Sequence, residues 1–540
     1  MFPEISVLGL ELVVVLGVTI LLCNLAAGRL RVAPPILLLA CGALLGFVPD
    51  LRAVQLPPEV VLLLFLPALL YWESITISLQ EIRSNLRGVV LLGTLLIIVT
   101  AGAVAVAVHA LGLPWPVAWV LGAAVAPTDA TAVGEFAKSL PHRNVTVLRA
   151  ESLVNDGTAL VVYGLAVGVT TGSEHLSFPH VGWLFVLAYG GGALSGMLVA
   201  YVVAPIRKRL EDRLLNNVAI LVTPFAAYLL AESIHASGVL AVVTCGLIMG
   251  QLGPRVGRAD TRQQTESFWS LSTFVLNGAL FVLVGLDTQS AARGLSGATL
   301  VKDVGMVGVV AVTLVVVRFI FLYVTAHLIR LIDRRPQQLL RRVSNKSRVV
   351  SAMAGFRGAV SLAVALSVPE VLDSGAAFPN RDTIIFVTFG VIVVTLVVQG
   401  LLLPPIVRWA DLPQDTRISQ EHQLANTVAA EEALAALSDV AETLDTDPHI
   451  VERLRREYDK HLRVLRANAN AAGTDGEGVE DEEALRYDQQ YTELRLAMLA
   501  RKRATVLRLR HERRIDDSVL LGVQSRLDLE EMRLSRRNVL

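Results

Sequence analysis

Six ionisable side chains lie inside long apolar segments of this sequence, where a bare charge is expensive. They are Glu73, Asp129, Glu151, Asp156, Arg318 and Arg357. A charged side chain near the centre of a bilayer costs about 2.5–3.5 kcal/mol, so it usually faces a polar pathway or a partner. Because an unpaired buried charge is costly, we interpret Glu151, Arg318 and Arg357 as structural charge partners. Asp156 has neither a helix cap nor a membrane surface nearby and is predicted to be functional.

The residues around Asp156 form two polar stripes on one predicted helix. Ser152 and Asp156 are four residues apart and share a face, while Glu151 and Asn155 share the adjoining face. With a helix that enters the membrane near Thr146, the rise of about 1.5 Å per residue places Asp156 ~15 Å deep, halfway through a core of ~30 Å. Hard cations prefer oxygen ligands, so this segment is typical of an alkali-cation site.

A helix break is predicted in the segment 126–134, which carries Pro127, Thr128 and Asp129. Proline removes a helical hydrogen bond and disfavours helix just before it, so backbone carbonyls become free to bind a cation. A break of this kind is tolerated in a membrane only against protein or water. Asp129 is predicted at a depth similar to that of Asp156, either as a ligand or as the N-cap of the half-helix after the break.

A second break is predicted in the segment 354–361, where two glycines flank Arg357. The two breaks fall in the fifth and the twelfth of thirteen predicted membrane spans. These are the fifth spans of two six-helix halves, spans 1–6 and 8–13, that enter the membrane in opposite directions. Discontinuous helices at corresponding positions are typical of transporters built from inverted repeats.

Composition places the chain in a membrane. Of its 540 residues 53% are hydrophobic and 18% charged, and the mean hydropathy is +0.56, which excludes an ordinary soluble domain. About 20 apolar residues cross a bilayer as a helix, and this length predicts about thirteen spans. Their approximate limits are 7–26, 34–49, 58–76, 88–111, 115–137, 146–171, 181–205, 216–234, 237–252, 268–287, 304–329, 348–370 and 383–407.

The positive charges of the loops predict the orientation. Loops on one side of the thirteen spans, counted with the first turn of the span that follows, hold 21 Lys and Arg, and loops on the other side hold 4. Short cytoplasmic loops carry the excess of Lys and Arg, so we expect the N-terminus outside and the C-terminus in the cytoplasm. The predicted location is the cell membrane.

The sequence divides into a transmembrane domain, residues 1–410, and a charged helical tail, residues 411–540. The tail lacks phosphate-binding loops and aromatic–basic patterns, so no nucleic acid partner or cofactor is predicted. A regulatory or dimer-contact role is one interpretation, and a solvated helical hairpin is the other. The three cysteines lie in apolar runs without metal-ligand spacing, which predicts no disulfide framework.

Taken together, these motifs resemble the monovalent cation:proton antiporter-1 family, the bacterial and eukaryotic Na⁺/H⁺ exchangers. The likeness covers residues 1 to about 410, in the family's order. Its elements are Phe65-Leu66-Pro67, Pro127-Thr128-Asp129, Glu151-Ser152, Asn155-Asp156, Asn277-Gly278 with Phe281, Gly285-Leu286, Arg318 and the run Gly355 to Ser361.

The resemblance implies a homodimer with an interface domain and a mobile core domain. It also implies a cation and proton site at Asp156, Ser152, Thr128, Asp129 and Glu73, with Na⁺ bound by the first three. By the same likeness Glu151 pairs with Arg318, and Arg357 compensates the facing helix ends. Because Asn155 stands where electrogenic relatives carry aspartate, the resemblance implies electroneutral exchange.

The predicted function is therefore secondary active exchange of Na⁺, or of Li⁺ or K⁺, for H⁺, with a role in pH and sodium homeostasis. The alternatives are a K⁺/H⁺ antiporter and a gated cation channel, although the sequence lacks the repeated filter carbonyls of a channel. A third class, an organic-anion transporter, should show cationic residues without paired carboxylates, and Arg318 and Arg357 are its weak support.

Overall fold

The computed structural model describes most of the chain, and every structural statement below concerns those residues. They are 4–30, 32–48, 61–84, 86–129, 142–172, 177–210, 212–256, 259–293, 297–332, 344–412, 417–471, 479–512, 514 and 517–537. Their regular structure is helical, apart from one isolated bridge between Val371 and Ala377. The chain divides into two compact units, Met1–Pro413 and Gln414–Leu540.

The first half of the larger unit contains eight helices among the described residues. They are α1 (Glu4–Leu30), α2 (Pro34–Leu45), α3 (Leu66–Thr76), α4 (Leu79–Ser84), α5 (Leu86–Val90), α6 (Leu96–Ala110), α7 (Trp115–Val125) and α8 (His142–Thr171). Short π-helical turns, Val61–Phe65 and Leu91–Leu95, lead into α3 and join α5 to α6.

The rest of the larger unit continues the same pattern of apolar helices. They are α9 (Phe178–Val186), α10 (Gly192–Arg209), α11 (Arg213–Ser233), α12 (Gly238–Val256), α13 (Ala259–Arg293), α14 (Gly297–Ile332), α15 (Asn345–Met353), α16 (Ala359–Leu366), α17 (Arg381–Val394) and α18 (Gly400–Ala410). The π-helical turns Leu187–Gly191 and Thr395–Gln399 join α9 to α10 and α17 to α18.

Eight of the described helical stretches are long and apolar enough to cross a bilayer, and four shorter apolar helices accompany them. This pattern confirms an all-α polytopic membrane protein. All thirteen predicted spans contain helix, although the exact number that cross the membrane stays a prediction. Predicted limits were too narrow for α13, which begins at Ala259 rather than 268, because its first turns carry polar residues that hydropathy excludes.

Both predicted helix breaks are present. Helix α7 ends at Val125, and the chain is then non-helical as far as Asp129. The predicted span 348–370 is two short helices, α15 and α16, separated by the non-helical segment 354–358. The predicted continuation of the fifth span, 130–137, lies outside the described residues.

Tight packing holds the helices around these breaks. One apolar cluster joins α6, α7, α8, α14, α16 and α17. A second joins α1, α2, α13 and α15, and a third joins α3, α10, α11 and α12. A Cβ at Gly196 would collide with the backbone of Ala241, so glycine allows α10 to approach α12 closely.

The smaller unit contains α19 (Arg417–Thr443), α20 (Pro448–Ala471), α21 (Val479–His511) and α22 (Asp517–Arg537). Each of these helices packs against the next along the chain. Leu499, Leu527 and Leu534 form a small buried cluster between α21 and α22.

Candidate functional site

Asp156 lies at the middle of α8, which runs for 30 residues from His142 to Thr171. The side chain is 4% exposed. Among the described residues its carboxyl group has no hydrogen-bond or ion-pair partner, which is rare for a buried polar group. The carboxylate therefore has unused capacity to bind a cation or a proton.

Thr128, in the break after α7, forms hydrogen bonds with polar side chains of α8. Its carbonyl oxygen accepts hydrogen bonds from Ser152 Oγ (2.9 Å) and Asn155 Nδ2 (3.0 Å). Its hydroxyl Oγ1 accepts a second bond from Asn155 Nδ2 (2.8 Å) and donates to Glu151 Oε1 (3.3 Å). Because proline interrupts the helix here, the Thr128 carbonyl has no partner within its own helix and turns to α8 instead.

The two breaks cross each other and are joined directly through the backbone. The Asp129 N–H donates to the Phe356 carbonyl (2.9 Å). The Asp129 carboxylate lies against Gly358, at the N-terminus of α16, so closely that a Cβ on residue 358 would collide with it. Helix N-termini favour negative charge, so the N-terminus of α16 is a favourable neighbour for the Asp129 carboxylate.

Arg357 occupies the space between the crossing segments and is 2% exposed. Its Nε donates to the Val125 carbonyl (3.0 Å), and its two terminal nitrogens donate to the Gly355 (2.5 Å) and Ala126 (3.4 Å) carbonyls. These acceptors include the carbonyls that α7 leaves without helical donors at its C-terminus. The guanidinium thus satisfies the helix end and compensates its partial negative charge.

Glu151 forms a bidentate ion pair with Arg318 of α14. The Nη1–Oε1 distance is 2.5 Å and the Nη2–Oε2 distance is 2.9 Å, with the side chains 3% and 1% exposed. Arg318 Nε also donates to the Ser351 carbonyl on α15 (3.0 Å). With both carboxylate oxygens held by Arg318, Glu151 has little capacity left to bind another cation.

A small cavity lies beside Asp156, with a free volume of about 30 Å³, which is room for one or a few water-sized occupants. Predicted site residues from three segments line it: Asp156, Ser152, Thr128, Asp129 and Glu73. Glu73, near the C-terminal end of α3, and Asp129 are partly exposed, whereas the others are buried. The structure therefore brings all five predicted binding residues to one cavity.

Two further polar residues line the same cavity and were not predicted as site residues. They are Asn277 of α13 and Ser361 of α16. Both belong to motifs that carry the family resemblance, Asn277-Gly278 and the run ending at Ser361, and this was the only signal in the sequence. A single polar residue in an apolar helix does not reveal which neighbour it faces.

Carboxylates alone do not make a metal site here. Nowhere in the described ranges do three His, Cys, Asp or Glu side chains come close enough together to hold a metal ion. The cavity instead combines carboxylates with neutral hydroxyl and amide oxygens, a mixture that suits a weakly held alkali cation.

Comparison with known proteins identifies the family. The model of the transmembrane sodium/hydrogen exchanger family matches residues 15–409. An uncharacterized Na⁺/H⁺ exchanger of Mycobacterium bovis is 42% identical over 534 residues, covering 98% of this chain and 96% of that protein. The Na⁺/H⁺ antiporter ApNhaP of Aphanothece halophytica is 32% identical over 412 residues, 75% of each chain.

A solved structure shares the fold. The sodium proton antiporter MjNhaP1 of Methanocaldococcus jannaschii superposes with a TM-score of 0.57 and 20% identity, over 75% of this chain and 100% of that one. The predicted resemblance to the cation:proton antiporters is thereby confirmed, and the matched region includes every residue of the cavity. This chain belongs to the transmembrane sodium/hydrogen exchanger family, whose members are transporters rather than enzymes.

Proposed function

We propose that this protein exchanges Na⁺, with Li⁺ or K⁺ as alternative cargo, for H⁺, and that cation and proton compete for the Asp156 carboxylate. The observation that carries the proposal is a buried carboxylate without a partner, at the midpoint of α8 and on the wall of a cavity. Ser152, Thr128, Asp129 and Glu73 line the cavity with it and are proposed to assist binding.

Competition at one carboxylate couples the two fluxes. An ionised Asp156 is costly to hold in a low-dielectric surrounding, and either a proton or an alkali cation neutralises it. The site therefore changes its exposure from one side of the membrane to the other at low cost only when it is occupied. Alternating access of the loaded site then moves one ion inward for each that moves outward.

Charge compensation supports a one-for-one, electroneutral exchange. Arg318 offsets Glu151, and Asn155 contributes an uncharged amide that is hydrogen-bonded to Thr128. On α8, Asp156 is then the group that changes its occupant. One proton replaces one monovalent cation, so no net charge crosses the membrane.

The wider setting is proposed from the sequence and the fold together. We infer two inverted six-helix repeats, because the breaks after α7 and after α15 fall at corresponding positions and cross. The protein is proposed to be a homodimer in the cell membrane, with the N-terminus outside and the residue 411–540 tail in the cytoplasm. The tail is proposed to regulate transport or contact the partner, and the transport to serve pH and sodium homeostasis.

Proton flux in everted membrane vesicles tests the proposal. Respiration acidifies the vesicle interior, and addition of Na⁺ should release protons, which a ΔpH-sensitive dye reports. Li⁺ and K⁺ measure the cation preference, and Ca²⁺ is the control for a divalent ion. Cation entry without proton release would instead favour a gated channel, and a response to K⁺ but not to Na⁺ would favour a K⁺/H⁺ antiporter.

A further inference from the structure

The two oxygen atoms of Thr128 already use most of their lone pairs in hydrogen bonds within the protein. A carbonyl oxygen has two lone pairs, and the Thr128 carbonyl already accepts bonds from Ser152 and Asn155. Its hydroxyl donates to Glu151 and accepts from Asn155, which leaves one lone pair. Thr128 thus offers a cation fewer ligands than a free carbonyl beside a helix break would.

The cavity is also lined by oxygen atoms that make no hydrogen bond to the described residues. Within the described part of the chain, neither the Asn277 side chain nor the Ser361 hydroxyl has a hydrogen-bond partner. Ser361 is only 1% exposed, yet it lines the cavity together with Asn277 and Asp156. A buried hydroxyl without a partner costs free energy, so its position facing the cavity indicates a ligand.

Asn277 and Ser361 reach the cavity from two helices other than the one that carries Asp156. Asn277 belongs to α13, which packs against α1 and α2, whereas Asp156 belongs to α8, which packs against α6 and α7. Ser361 lies in the first turn of α16, immediately after the crossing of the two breaks. A cation in the cavity is therefore approached from α8, from α13 and from α16.

We propose that Asn277 Oδ1 and Ser361 Oγ are neutral ligands of the transported cation and help to set its affinity. This inference rests on the proposed exchange function and extends it to two residues outside the polar stripe of α8. Neutral oxygens coordinate a dehydrated metal ion but take up no proton at neutral pH. They therefore strengthen the binding of Na⁺ without strengthening the competing binding of H⁺ at Asp156.

Kinetics of the full-length protein in everted vesicles separates these roles. Ser361→Ala and Asn277→Leu each remove one oxygen at nearly constant size. Each should raise the half-saturating Na⁺ concentration about ten-fold, the effect of losing one charge-assisted polar contact. The maximal rate at saturating Na⁺ should stay within about two-fold of the wild type, because Asp156 still exchanges its occupant.

Matched variants exclude a general packing defect. Ser195→Ala removes a buried serine of α10 that does not line the cavity, and it should keep the wild-type half-saturation. Asn277→Asp keeps an oxygen in place and should bind Na⁺ at least as well as the wild type. Folding of every variant is checked by size-exclusion chromatography of the detergent-solubilised protein.

The inference is overturned if Ser361→Ala and Asn277→Leu keep the wild-type half-saturation, if Ser195→Ala raises it equally, or if only the maximal rate falls. It is also overturned if Asn277→Asp binds Na⁺ as poorly as Asn277→Leu. Failure of the proposed function looks different, because the wild type itself would then release no protons with any cation.

Discussion

Replacing Arg318 with methionine tests how the membrane core tolerates the charge on Glu151. The substitution keeps most of the side-chain volume but removes the two guanidinium contacts to the carboxylate, at 2.5 and 2.9 Å. Glu151, 1% exposed, then keeps, within the described ranges, only the Thr128 hydroxyl as a donor, at 3.3 Å. A buried carboxylate with one weak hydrogen bond is strongly disfavoured.

The size of the effect follows from the geometry of the pair. Breaking a buried ion pair by removing one partner costs about 3–5 kcal/mol. Replacing both partners with neutral side chains of similar shape is close to neutral, because the desolvation cost of both charges disappears as well. We therefore expect Glu151→Gln combined with Arg318→Met to recover most of the stability that Arg318→Met loses.

Thermal stability in detergent is measured for the wild type, for Arg318→Met and for the double variant. Each variant is solubilised, heated and assayed for the protein that remains monodisperse. At roughly 2 °C per kcal/mol, Arg318→Met should lower the midpoint by about 6–10 °C. The double variant should recover more than half of that loss. A double variant that is no more stable than Arg318→Met, or a single variant that melts with the wild type, would refute the pairing argument.

Two further substitutions test the contacts that the break after α7 makes with α16 and with α8. Gly358→Ala places a methyl group on the Asp129 carboxylate, and we expect exchange in vesicles to fall at least ten-fold, whereas Gly305→Ala, which meets open space, should be active. Asn155→Asp removes the amide that donates to both oxygens of Thr128. We expect it to lower stability by about 1–3 kcal/mol, visible as an earlier thermal midpoint, and wild-type stability in this variant would contradict the role given to the amide.

Local chemistry explains why the helix breaks could be predicted. Pro127 cannot donate a helical hydrogen bond, and the glycines beside Arg357 weaken helix, so both interruptions could be read without knowledge of the neighbours. Hydropathy likewise located the apolar helices. It misjudged the start of α13 at Ala259, because the polar first turns of that helix carry no hydropathy signal.

The composition of the cavity depends on packing and could be predicted only in part. The spacing of Ser152 and Asp156 fixes a shared helix face, so the stripe on α8 follows from periodicity. Asn277 and Ser361 reach the cavity only through the rotation of α13 and α16, which one polar residue in an apolar helix does not determine. The Thr128 carbonyl accepts two hydrogen bonds only because α8 lies close to the break, and the sequence does not show that distance.

The central claim is that cation and proton share the Asp156 carboxylate, and Asp156→Asn tests it most directly. In everted vesicles this variant, assembled normally, should release no protons when Na⁺, Li⁺ or K⁺ is added. Asp303→Asn, which alters a buried acid of α14 outside the cavity, should exchange like the wild type. Cation-dependent proton release that survives in Asp156→Asn would contradict the account.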